Sequence, residues 1–171
     1  SFSPAIVVLN TPGLATARRL CTALGTGRVH ASRAIATADD TPFDDATSHI
    51  RTLFASGAPL VGICASGILI RALAPGLANN YDDAPVVALS IDGAIAVPLL
   101  GGHRGANRLA TIIAEALGGT AAVTTAGDTA LGFALDDPPT GWRIDPDSDV
   151  KSVASALLND EPVTLQVDAG D

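Results

Sequence analysis

The stretch Val97–Gly119, VPLLGGHRGANRLATIIAEALGG, decides the fold. It reads as an apolar strand, a tight glycine turn and an amphipathic helix. A strand that ends in glycines and feeds a helix leaves backbone N–H groups unpaired at the helix entrance. In open α/β sheets, loops at the carboxyl ends of strands are where ligands bind. At about 100° per residue, Leu109, Ile112, Ile113, Ala116 and Leu117 share one stripe, the expected buried face. His103, Asn107 and Ala114 fall opposite, so His103 and Asn107 are expected to face solvent, a cleft or another domain. The plainer reading is a turn made by Gly101 and Gly102, capped by His103, with Asn107 merely exposed.

Moving outward, the same strand–turn–helix pattern recurs. PAIVVLN (4–10) is a continuous apolar run, the mark of a strand buried on both faces. TPG follows as a turn, with Pro12 placed to open a helix over LATARRLCTALG that Gly25 ends. RVHASRAIA reads as a second strand. ADDTPFDDATSHIRTLFASG reads as a second helix, with Thr41 and acids at its positive end. APLVGICASGILIRALAPGL repeats the pattern around a Cys64-Ala65-Ser66-Gly67 turn, stopped by Pro75 and Gly76. In APVVALSIDGAIAVPLL, Asp92-Gly93 between two apolar runs predicts a hairpin, and hence a partly mixed sheet. GTAAVTTAGD reads as a further strand. From there the composition turns to Pro, Asp and Gly, then a short helix over VKSVASALLND and a strand-like alternation in EPVTLQVDAGD. The expected architecture is a three-layer α/β/α domain with a mostly parallel sheet over 1–130. A linker and a small partial α/β unit follow over 131–171.

Composition narrows the function. Of 171 residues, 47% are hydrophobic but only 4% aromatic, so Ala, Val, Leu and Ile fill the core. The net charge of −8 argues against nucleic acid and anionic membranes as partners. No apolar run reaches about 18 residues, so no transmembrane helix is expected. The start, SFSPAIVVLN, lacks the basic region of a secretory leader, and Cys21 and Cys64 have no metal-ligand spacing. A reduced, cytoplasmic protein is expected. GxxxxGK[ST], GxGxxG, HExxH, CxxC and GxSxG are all absent. A phosphate-binding nucleotidase is disfavoured, and nothing supports a metal site built on His30, His49 and His103.

Three turns remain: CASG at 64–67, GGHRGAN at 101–107 and TTAGD at 124–128. If the strands before them are parallel, the turns converge on one sheet edge. That edge would hold Ser66, Thr124 and Thr125 hydroxyls, the His103 imidazole, the Asp128 carboxylate, and the Arg71 and Arg104 guanidiniums. Such a set suits an anionic ligand rich in carboxylates, with His103 and Asp128 the groups able to move protons. Ser66 also sits where a nucleophile elbow would stand. Each residue has a plainer reading. Ser66 is then a helix cap, Thr125 with Asp128 a capping pair, and the arginines solvated charges. Residue chemistry alone reaches an anion-binding edge and no reaction.

Three blocks in order, CASGILIRALAP, GGHRGAN and TTAGD, resemble the N-terminal domain of the cobalamin-biosynthesis CbiG family, the cobalt-precorrin-5A hydrolases. The resemblance is strongest over 60–130, rests on layout alone over 1–59, and extends into the family's central domain over 131–171. GGHRGAN is one residue shorter than the SGHLGGAN of many members, a form associated with copies fused to a precorrin-3B C17-methyltransferase. The resemblance implies opening of the ring-A lactone of a cobalt corrinoid, with release of acetaldehyde. It implies no cofactor bound by the protein itself, the cobalt being carried by the substrate. On this basis His103 and Asp128 are the expected proton-transfer groups. The expected substrate-binding set is Cys64, Ser66, Gly67, Arg71, Gly101, Gly102, Arg104, Asn107, Thr124 and Thr125. The alternatives are a non-catalytic corrinoid-binding domain serving a methyltransferase of the same pathway, and a generic nucleotide-binding α/β domain.

Overall fold

The computed structural model describes residues 2–77, 82–125, 135, 138 and 141–166. The chain divides into two compact units, Ser1–Val123 and Thr124–Asp171. In the first, seven strands form one sheet: β1 (Ala5–Val8), β2 (Arg28–Ser32), β3 (Thr41–Phe43), β4 (Leu60–Ile63), β5 (Val86–Leu89), β6 (Ile95–Leu100) and β7 (Thr120–Ala121). Their order is β3-β2-β1-β4-β5-β6-β7. The first five run parallel, β6 pairs antiparallel with β5, and β7 runs parallel to β6. Every residue of β1, β4 and β5 is buried. Helices cover both faces of these central strands, so their sequences read as unbroken apolar runs rather than alternating ones.

Alternate residues of each strand serve the two helical layers. On one face, Ile6, Val8, Val61 and Ile63 pack with α1 (Thr11–Leu24) and α4 (Ala106–Leu117). On the other, Ala5, Val7, Leu60 and Val86 pack with α2 (Ala46–Ala55) and α3 (Ser66–Leu73). Chain direction explains the division. The β1–α1–β2 crossover steps one way from β1, and β4–α3–β5 steps the other, so right-handed connections place α1 and α3 on opposite faces. The strand order therefore reverses between β1 and β4. Gly62 lets α3 sit close on β4, since a Cβ there would lie 2.7 Å from the fully buried Leu69 side chain.

The three-layer, mostly parallel architecture and the Asp92-Gly93 hairpin are as the sequence reading expects. Asp92 Oδ1 accepts from the Ser90 hydroxyl at 2.6 Å and from the Ala94 amide at 3.0 Å, which closes the turn. Several local expectations need correction. The TPG turn is absorbed into α1, which opens at Thr11 behind an Asn10 cap. The second strand ends at Ser32. Thr41–Phe43, read as a helix start, is an edge strand, and α2 opens later behind Asp45, whose carboxylate accepts from the Ser48 amide. Three extended residues around Pro42 carry no periodicity to read, and a proline is tolerated at a sheet edge. Ala114 is buried and Ile112 is 36% exposed, so the α4 stripe is rotated from the expected one and centres on Leu109, Ala110 and Ile113. GTAAVTTAGD contributes only the two residues of β7 as strand among those described. In the second unit α5 (Val150–Leu158) is capped by Asp149 and has no buried residue. Residues 161–166 form no strand, and 167–171 lie outside the described residues.

Candidate functional site

Strand direction decides which turns share an edge. Ile63, the last residue of β4, is in register with Leu89, the last of β5. Leu100, the last of β6, is in register with Val86, the first of β5. CASG and GGHRGAN therefore leave opposite edges of the sheet, offset by about 10 Å along the strands. The convergence expected for parallel strands does not occur between them, because the short hairpin connection over 90–94 turns β6 around. Thr124 and Thr125 open the second unit and are exposed. Asp128 lies outside the described residues.

The GGHRGAN turn packs on the entrance to β5. Gly101 has φ 73°, and a Cβ there would lie 2.5 Å from the Ala84 carbonyl oxygen, so both its conformation and its contact require glycine. Its own carbonyl accepts from the amides of Arg104 and Ala106. Gly102 is exposed and opens the 3-10 turn Gly102–Arg104. His103 is thus in that turn and not on the wheel of α4. It does not cap, since α4 begins behind Gly105 without a side-chain cap. Arg104 donates to the Asp82 carbonyl at 3.1 Å. Arg108 lies over the Phe2 ring, 5.2 Å from its centroid. His103 and Asn107 are half-buried, and each has an interaction partner.

The other edge holds a cleft of about 380 Å³. It lies where the strand order reverses, at the ends of β1, β4 and β5, the position open α/β sheets use for ligands. Leu9 and Asn10 follow β1; Cys64, Ala65 and Ser66 follow β4; Ser90 and Ile91 follow β5. None of the lining residues is charged. Burial pushes the Cys64 thiol up to about 11, so at neutral pH it is a thiol and no nucleophile. Ser66 is exposed and is the first helical residue of α3, whose cap position is Ala65; the expected capping role is not its own. Gly67 is half-buried, and its carbonyl accepts a long contact, 3.5 Å, from the exposed Arg71 guanidinium. Among the described residues no histidine lines this cleft to activate Ser66 as an elbow nucleophile requires.

The remaining histidines make a pair. His30 on β2 and His49 on α2 share a 2.8 Å hydrogen bond, and the His49 ring stacks on Phe43. His30 on β2 is separated from β6, the strand that leads into the His103 turn, by four strand spacings, about 19 Å. Among the described residues no three His, Cys, Asp or Glu side chains gather as metal ligands.

Sequence reasoning missed Leu9, Asn10, Ser90, Ile91 and Ile95 as parts of the cleft. Asn10 alone carried a local signal, as a polar residue between an apolar strand and a Thr-Pro-Gly helix start.

Comparison with known proteins fits this architecture. Residues 48–128 match the family model for the cobalamin synthesis G N-terminal region, and 138–171 that for the cobalamin biosynthesis central region. A cobalt-precorrin-5A hydrolase of Salmonella typhimurium is 32% identical over 98% of this chain and 49% of its own length. One from Priestia megaterium is 29% identical over 70% of this chain and 33% of its own. A crystal structure of a cobalamin biosynthesis protein G homologue from Sulfolobus solfataricus shares the fold, with a TM-score of 0.55 and 18% identity over 99% of this chain and 51% of that one. The chain spans about half or less of the length of these relatives. With both family models matched in order, and with the CASG and GGHRGAN blocks falling on two turns of this sheet, the chain belongs to the cobalamin-biosynthesis G family.

Proposed function

We propose that this chain serves corrin-ring synthesis as cobalt-precorrin-5A hydrolase, opening the ring-A lactone of a cobalt corrinoid with release of acetaldehyde. The observation that carries the reading is the likeness, along nearly the whole chain, to a relative named for that activity. The cleft at the reversal of strand order supports it. A large ring with apolar faces needs aliphatic surface with few polar groups, and this cleft offers that. The cobalt enters with the substrate. No helix among the described residues is long and apolar enough to cross a membrane, and the reading places the chain in the cytoplasm.

Lactone opening needs a group to activate water and donors for the developing oxyanion. Because the two family turns stand on opposite edges, one edge carries the reacting lactone. Ser66, Gly67, Cys64 and Arg71 belong to the cleft edge. His103, Gly101, Gly102, Arg104 and Asn107 belong to the other. Thr124, Thr125 and Asp128 complete the proposed set, with His103 and Asp128 in proton transfer.

Acetaldehyde release from the lactone-bearing cobalt corrinoid tests this with Ser66→Ala and His103→Ala. Loss of at least about 100-fold in His103→Ala, the scale of a lost general acid or base, assigns chemistry to the GGHRGAN edge. Unchanged turnover in His103→Ala removes the histidine from the mechanism. Binding without release by the intact chain overturns the hydrolase reading in favour of a corrinoid-holding role for a methyltransferase partner.

A further inference from the structure

Asn10 is the one polar side chain that the switch-point cleft takes from β1, and its amide is oriented by its own helix. Its Oδ1 accepts from the Gly13 amide at 2.9 Å, as the cap of α1. Only the carbonyl oxygen of a carboxamide can take that N–H, so the NH2 group is directed away from the helix backbone. Asn10 lines the cleft, and among the described residues its NH2 has no hydrogen-bond partner. Gly13 keeps this geometry tight. A Cβ there would lie 3.1 Å from Asn10 Oδ1 and 3.2 Å from the side chains of Val8 and Ile63, which close β1 and β4.

Of the other polar side chains of the cleft, Ser90 is spent and Cys64 is a weak donor, which leaves the exposed Ser66 hydroxyl beside Asn10. The Ser90 hydroxyl donates to Asp92 and accepts from the Ile95 amide. Cys64 stays a thiol. The walls are aliphatic, and Ile91 and Ile95 are 44% and 42% exposed on the overhanging hairpin. Thr16 of α1 holds that hairpin in place by donating to the Ile91 carbonyl at 2.6 Å. An uncharged, largely aliphatic slot with an oriented carboxamide donor and one serine hydroxyl offers no cation to a phosphate. It fits a broad apolar ring that presents an acceptor oxygen at its rim.

We propose that Asn10 is a ligand-binding residue, its Nδ2 donating to a rim oxygen of the corrinoid, either a peripheral carboxylate or the lactone carbonyl. The assignment rests on the corrinoid reading above and adds to it a residue that neither family turn contains.

Two substitutions separate this role from capping. Asn10→Asp keeps the cap, since Asp and Asn are equivalent at that position and a negative charge suits a helix N-terminus. It replaces the donor with an acceptor. Asn10→Ser keeps a neutral cap and removes the reach. Binding of a lactone-bearing cobalt corrinoid, and of the same ring with the lactone opened, is followed by absorbance titration of the whole chain, with thermal midpoints in parallel.

Asn10→Asp is expected to bind at least about tenfold more weakly and Asn10→Ser about three- to tenfold more weakly, the scale of one lost hydrogen bond, with midpoints unchanged. Weakening toward both rings identifies a carboxylate as the partner; weakening toward the lactone form alone identifies the lactone oxygen. Wild-type affinity in both variants overturns the proposal. So does a loss confined to Asn10→Asp, which is charge repulsion alone. If Asn10→Asp lowers the midpoint, Asn10→Ser decides. Wild-type protein that binds neither ring overturns the corrinoid reading itself, a result distinct from silent variants of a binding-competent chain.

Discussion

His30 shows what burial does to a titratable group in this fold. It is 8% exposed, and burial, then His49 and Arg28, lower its pKa from the ordinary 6.5 to about 4. His49 is lowered too, by burial. A hydrogen bond between two imidazoles needs one to supply a lone pair, so two cations cannot keep it. The folded state therefore holds this pair in a neutral form that the unfolded chain gives up below about pH 6.5. The resulting stability is fully present above that pH and is lost as pH falls towards 4. At about 1.4 kcal/mol per pKa unit, the loss reaches about 3 kcal/mol for His30. Urea unfolding at pH 7, 5.5 and 4.5 measures it, and His30→Gln should flatten the decline across that window. An unaltered slope in the variant would assign the acid sensitivity elsewhere.

Among elements, the β5–β6 hairpin matters most for the site, because it turns β6 around and overhangs the cleft. It is tied to α1 by the buried Thr16 hydroxyl and by Arg19, which donates to the Asp92 carbonyl at 3.3 Å. Thr16→Val keeps the shape and leaves the Ile91 carbonyl without its donor. That should cost about 1–2 kcal/mol. Amide exchange at Gly93 and Ala94 should rise with it, while the amides of β1 and β4 stay protected. Equal loosening of the central strands would mean that Thr16 supports the core rather than the hairpin.

On the scale of the whole molecule, the large, fully buried side chains among the described residues lie in the first unit, and α5 of the second buries none. Hydrophobic burial is the main favourable term in folding, so cooperativity should reside in residues 1–123. A chain ending after Val123 is expected to unfold in one transition, with a midpoint within about 5 °C of the whole chain, the shift of about 1 kcal/mol in a domain of this size. Calorimetry decides it. Loss of the transition would make the second unit part of the core.

The sequence by itself determined the buried strands, the helices, the Asp92-Gly93 hairpin and the family blocks. Each is a local pattern of apolar spacing, turn chemistry or contiguous motif. It did not determine which turns meet. That depends on strand direction, and a short hairpin connection forces antiparallel pairing where a crossover permits parallel. The reversal was therefore implicit in Asp92-Gly93, yet its consequence appears only across the sheet, where Leu100 comes to lie beside Val86 rather than Leu89. Only tertiary structure seated Asn10 opposite Ser66 and Ser90 in one cleft and brought His30 against His49. Those contacts join residues far apart in the chain, through pairings of strands and layers that no local spacing encodes.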